Sequence, residues 1–162
     1  MKQNENQLTQ NAKDAAARGQ YAVACKIYLD LHSQGNLRDD GILNFAIILE
    51  KVDQPARAIS LFSQVSKKSE SYPDAQFRCG KVFQRKGHHE QAVIHFSNVI
   101  KAQPDYVPAY NSRANSLGQL SQFRLALDDL NNAIDLAPIN AHIHYNRGSL
   151  YSMVGKFQDA IK

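Results

Sequence analysis

The side chains with the most reactive chemistry are few and badly spaced for catalysis. His88, His89 and Glu90 form a run that looks like part of a metal site. Adjacent side chains on a helix diverge, however, and zinc ligands on one helix are spaced three or four apart. His142 and His144, two apart, fail the same geometric requirement. Asp128 and Asp129 are neighbouring carboxylates, but an acid/base pair must converge on one cleft. Their segment also carries Asn131, Asn132 and Asp135, so both aspartates are expected on a solvated helix face. Gly80-Lys81 lacks the other glycine of a phosphate loop and the Ser or Thr that should follow. Cys25 and Cys79 fall in separate segments of helical pattern and are expected as unpaired thiols packed like small apolar groups. No nucleophile constellation stands out. The chain is therefore expected not to be an enzyme and to need no metal and no cofactor. What remains is a set of cations, Arg78, Lys81 and Arg85, and a set of amides. Their use depends on the elements that carry them.

Composition sets outer bounds on those elements. The 162 residues suit one domain, with 43% apolar and 21% charged residues. No apolar run approaches the roughly 18 residues of a membrane helix. The start, MKQNENQLTQ, lacks the apolar stretch of a signal peptide. A cytoplasmic protein with no membrane partner is the expectation. A net charge of +4 and a pI near 9.1 are a mild basic excess, which leans towards acidic partners without the signature of nucleic-acid binding.

Residues 107–140 contain two amphipathic segments, 108–120 and 123–136, joined by a short polar link. Each alone is too short for a stable helix in water, so each must bury its apolar stripe on neighbours. Sliding this stretch by about 34 residues brings like onto like. With Val107 as position 1, position 8 reads Ala12, Ala46, Gly80, Ala114 and Gly148. Position 20 reads Ala24, Ala58, Ala92, Ala126 and Ala160. Small residues there allow two helices to cross closely. Position 24 reads Tyr28, Phe62, Phe96 and Leu130, large enough to fill the space that the small ones leave, and prolines close two units at Pro104 and Pro138. His89 stands where other units have Tyr21, Phe123 and Phe157, which gives it a place in the repeat rather than in a metal site.

These columns resemble the tetratricopeptide repeat (TPR) family over nearly the whole chain. The resemblance implies an all-α fold, a right-handed superhelical solenoid of stacked antiparallel helix-turn-helix repeats. One domain over 1–162 is expected, with repeats at about 5–38, 39–72, 73–106, 107–140 and 141–162. The last is cut short, so the chain is expected to be a fragment of a longer protein. Residues 1–4 are expected to fray, Asp53 to cap the second helix of its repeat with Pro55 in the first turn, and a turn to form at Gly155. Leu150, Tyr151 and Phe157 would then form an exposed apolar edge through which two molecules could associate.

In TPR proteins the first helix of each pair lines a concave groove. Carrying those positions across gives Asp40, Leu43, Asn44, Ile47 and Lys51 in the second repeat, and Phe77, Arg78, Lys81, Gln84 and Arg85 in the third. Asn111, Ser112, Asn115 and Gln119 follow in the fourth, and His142, Tyr145, Asn146 and Ser149 in the fifth. Of these, Asn44, Phe77, Arg78, Lys81, Arg85, Asn111, Asn115, Tyr145 and Asn146 are the candidate peptide-binding residues. Arginine grips a carboxylate through two parallel hydrogen bonds, and side-chain amides hold an extended peptide backbone. The carboxylate clamp of chaperone-binding TPR domains is not reproduced, because its lysine position is Asn111 in one register and Phe77 in the other. The implied function is a non-catalytic scaffold that binds a peptide segment of a partner protein. The alternative is the amino-terminal recognition module of a larger enzyme such as a glycosyltransferase.

Overall fold

The computed structural model describes residues 2–160, and the side chains of residues 6–155. The elements are α1 (Lys2–Ala17), α2 (Tyr21–Ser33), α3 (Asp39–Lys51), α4 (Pro55–Phe62), α5 (Tyr72–Arg85), α6 (His89–Ala102), α7 (Val107–Gln119), α8 (Phe123–Leu136) and α9 (Ala141–Ala160). Among the described residues there is no strand, and no helix is long and apolar enough to cross a membrane. Lys2 to Asn4 lie inside α1 instead of fraying, while Met1 falls outside the described residues.

Four turns within helix pairs share one construction. Gly19, Asp53, Gly87 and Ser121 have φ of 74°, 55°, 76° and 58°, in the left-handed region. In each turn the next residue's amide reaches back to a carbonyl five positions earlier. Gln20 N donates to Ala15 O at 2.9 Å, Gln54 N to Leu49 O at 2.8 Å, His88 N to Phe83 O at 3.0 Å and Gln122 N to Leu117 O at 2.9 Å. This is the Schellman closure, which satisfies carbonyls that the helix end leaves orphaned. Asp53 is therefore the terminating residue of α3 and not the cap of α4. That cap is Gln54, which makes no side-chain cap bond, and Pro55 then opens the helix. A short polar side chain tolerates the left-handed region better than most.

Gly155 breaks the series. It is not among the glycines with positive φ, and α9 runs through it to Ala160.

The chain forms two compact units that divide between Ala75 and Gln76. In the first, Ala12, Ala24, Ala46, Ala58, Tyr28 and Phe62 are wholly buried, so the small-residue columns are core. The Tyr28 and Phe45 rings stack at 5.7 Å. The Tyr28 hydroxyl is buried without a hydrogen-bond partner among the described residues, and burial, with Asp40 nearby, pushes its pKa up to about 12.

In the second unit Gly80 shows why its column is small. A Cβ there would stand 2.7 Å from Phe96 Cε1, inside contact distance. Ala114, Ala126, Leu130, Ala133, Ile143 and Leu150 form one buried cluster. Leu150 is thus core, which removes it from the expected apolar edge. Tyr151 is exposed, and Phe157 lies outside the described side chains.

Polar contacts tie each helix of this unit to the next. Cys79 Sγ of α5 lies 3.6 Å from His95 Nε2 of α6. Arg113 of α7 donates from Nη1 to Ser97 Oγ of α6 at 2.9 Å. It also grips Asp129 of α8 through Nε at 2.8 Å and Nη2 at 2.6 Å. Arg147 of α9 donates to Asn131 Oδ1 of α8 at 3.0 Å. Asp129 is therefore buried, correcting the expectation of a solvated pair; Asp128 alone faces water. The carboxylate is sustainable there because the guanidinium meets it with two hydrogen bonds. Its hydrogen bonds hold the Arg113 pKa above the usual arginine value, against the opposing effect of burial. Neither Cys25 nor Cys79 is in a disulfide.

Candidate functional site

Three helices of the second unit, α5, α7 and α9, line a cavity of about 320 Å³. Each is the first helix of its pair. Spacing of three and four residues places Lys81, Gln84 and Arg85 on one face of α5, Asn111, Ser112 and Asn115 on one face of α7, and His142 and Asn146 on one face of α9. None of these eight lining residues is acidic.

Gln84 organises the α5 wall. Its Nε2 donates to the Ser112 carbonyl at 2.9 Å, to Ser116 Oγ at 2.9 Å and to Asn115 Oδ1 at 3.3 Å. Its Oε1 accepts from Lys81 Nζ at 2.8 Å. Lys81 is thereby aimed along the wall. Burial first, and the Arg85 charge second, lower the Lys81 pKa from the ordinary lysine value. A neighbouring anion would oppose both influences by favouring the charged form.

On the opposite side Asn146 Nδ2 donates to Asn111 Oδ1 at 2.7 Å and lies 3.4 Å from His142 Nδ1. This bond fixes the two amides as a pair. Asn111 Nδ2, Asn115 Nδ2 and Asn146 Oδ1 carry no hydrogen bond among the described residues, leaving two donors and one acceptor at the rim. A second, smaller cavity of about 70 Å³ adjoins the first and shares Asn111, Asn115 and Asn146 with it.

Lys81, Arg85, Asn111, Asn115 and Asn146 are thus brought together. Phe77 is not with them, because its ring packs in an aromatic cluster at 5.7 Å from Phe96 and 5.3 Å from Tyr106. Arg78 does not line the cavity, and neither does Tyr145, which is 74% exposed. Asn44 belongs to the first unit, where its amide donates to the Asp40 carbonyl at 2.7 Å. Gln84, Ser112 and His142 complete the lining. All three hold groove positions in the repeat register, but residue type alone gave no reason to rank them. Among the described residues no group of three or more His, Cys, Asp or Glu is arranged to hold a metal ion.

The family model described as "Tetratricopeptide repeat" matches residues 111–162. Tetratricopeptide repeat protein 13 of Homo sapiens is 32% identical over 99 residues, 58% of this chain and 11% of that protein. DnaJ homolog subfamily C member 3 of Gallus gallus is 29% identical over 118 residues, 69% of this chain and 22% of that protein. The chain therefore spans a small part of the length of the relatives it matches. Among solved structures, the MamA protein superposes with a TM-score of 0.85 at 15% identity, over 99% of this chain and 88% of MamA. YrrB, described as a TPR protein with an unusual peptide-binding site, gives 0.73 at 19% identity, over 85% of this chain and 71% of YrrB. At such identities these two speak for the fold alone, an all-α helical-repeat solenoid.

Proposed function

We propose that this chain, which belongs to the tetratricopeptide-repeat family, is a non-catalytic protein-binding scaffold that holds an extended, acidic peptide segment of a partner in the cavity of α5, α7 and α9. We read it as five successive repeats, at about 5–38, 39–72, 73–106, 107–140 and 141–162. The observation that carries the site is the cavity wall itself. Two cations on adjacent turns face a row of amides, with no carboxylate among the lining residues. An acidic side chain or a terminal carboxylate of the ligand meets Lys81 and Arg85, and the rim amides of Asn111, Asn115 and Asn146 address its backbone. The net charge of +4 favours the same class of partner at longer range. A cytoplasmic setting belongs to the same proposal.

The test is a peptide-binding titration at low and moderate salt, with acidic peptides and their neutral glutamine counterparts. Lys81→Ala/Arg85→Ala is expected to weaken the acidic peptides about tenfold and to flatten the salt dependence. Equal binding by the double variant, or equal binding of the neutral peptides, would sink the assignment.

A further inference from the structure

We infer that the smaller cavity is a socket for one short aliphatic side chain of the same ligand, so that the recognised segment sets an alanine-to-leucine-sized residue close to its acid. This rests on the reading of the larger cavity as the peptide site and adds a second requirement to it. The shared Asn111, Asn115 and Asn146 make the two cavities adjoining stretches of one depression. Lys81 and Arg85 border the larger, whereas the smaller has no charged lining residue: Ala114, Leu130, Leu150 and Met153 form its apolar side, and Gln119, Ser149 and the shared asparagines its polar side. Leu130 and Leu150 belong to the buried cluster of this unit and are only 2% and 5% exposed. The apolar side of the socket is therefore an edge of the hydrophobic core, beside the polar residues of α7 and α9.

Size decides what fits. The volume is about 70 Å³, whereas an apolar void of about 150 Å³ takes a benzene ring. The socket admits the end of an aliphatic side chain and refuses an aromatic one. Gly118 keeps it open. A Cβ at that position would stand 3.3 Å from Leu150 Cδ1, so a larger residue presses on the socket lining. The rim amides between the cavities meet the ligand backbone, so the aliphatic residue stands close in sequence to the acid.

The experiment is fluorescence anisotropy with fluorescein-labelled pentapeptides. Each contains one glutamate and one variable residue, Gly, Ala, Val, Leu or Phe, one or two positions away in either order. The wild-type chain is expected to bind the Val or Leu peptide about tenfold more tightly than the Gly peptide, and the Phe peptide no better than Gly. Gly118→Ala favours the helical state of α7, so folding is not at risk. It should lower the Leu preference while keeping the glutamate dependence. Met153→Ala widens the socket and should shift preference towards Phe. Glutamate-dependent binding that ignores the variable residue overturns the socket alone, as do size preferences unchanged in both variants. Absence of any glutamate-dependent binding overturns the socket and the groove reading together.

Discussion

α3 and α7 hold the same place in their helix pairs and have the same length, thirteen residues, yet they are stabilised by different means. The buried residues of α3 are Gly41, Leu43, Phe45, Ala46, Ile48 and Leu49, so it is fixed by apolar area removed from water. Those of α7 are Ala109, Ser112, Ala114, Ser116, Leu117 and Gly118, all but Leu117 small or polar. Hydrogen bonds do more of the fixing there. Ser116 and the Ser112 carbonyl take the Gln84 amide, and Arg113 takes Asp129. A helix fixed partly by polar contacts can afford amides on its remaining face. In α7 that face lines both cavities.

The strongest way to break this contrast is to strip the polar anchor of α7. Asp129→Ala leaves the Arg113 guanidinium half-buried beside an empty place and should cost about 3–5 kcal/mol in urea unfolding. Replacing both partners with apolar residues of similar volume should recover most of it. A loss below about 1 kcal/mol for the single variant would mean that α7, like α3, depends on area alone. Gln84→Ala comes next, at about 1–3 kcal/mol, because Ser116 and the Ser112 carbonyl lose a buried donor. It should also weaken acidic peptides by releasing Lys81.

The two units should differ in their response to pH. Burial lowers the pKa of His95, whose Nδ1 lies 2.9 Å from Gln76 Oε1 and whose ring stacks on Phe83 at 5.2 Å. The unfolded chain then takes up this proton more readily than the folded one. Stability of the second unit is full above the unfolded value of about 6.5 and falls as pH drops through the lowered folded value. His95→Gln should remove that acid-side loss in a pH series of urea midpoints. Tyr28 in the first unit works from the other end. Its contribution is present below pH 10 and is lost as pH rises through about 12. Tyr28→Phe should abolish the alkaline effect and raise stability at neutral pH by about 1 kcal/mol, because the orphaned hydroxyl is gone. An unchanged or lower midpoint would show that the hydroxyl finds a partner in solution. The smallest effect should come from Asp53→Gly and Ser121→Gly. Each relieves a left-handed residue, for a gain of about 0.5–1 kcal/mol less the added chain entropy of glycine.

The repeat itself was legible in the residues because close helix crossing leaves so little choice. Alanine at position 20 and the pairing of Gly80 with Phe96 are consequences of distance, and distance recurs with the repeat. The Arg113–Asp129 pair was not legible. Of two adjacent aspartates, only the rotation of α8 decides which one meets α7, and periodicity is too coarse to fix that angle. Asp53 was misread for a related reason. The same residue type suits a helix start and a left-handed helix end, and the 34-residue alignment with Gly19 and Gly87 decides between them. For the site, repeat register supplied the lining residues but not their order of importance. Phe77 was drawn into aromatic packing, while Gln84, with no charge to attract notice, became the hub of the wall.

Four of the polar ties between successive helices from α5 to α9 have one more property in common. Cys79 and His95, Ser97 and Arg113, Arg113 and Asp129, and Asn131 and Arg147 are each separated by sixteen residues. The second unit therefore works as a ruler, in which partnership is set by counted chain length as much as by residue type. Adding one residue in the first turn of α7 would turn the rest of that helix by about 100° relative to its start. Arg113 would leave Ser97, and the amides of α7 would rotate away from Lys81. Insertion of a whole 34-residue unit would keep the count intact. Length change inside the helices of this unit is thus quantised: costly in single steps and tolerable in multiples of the repeat.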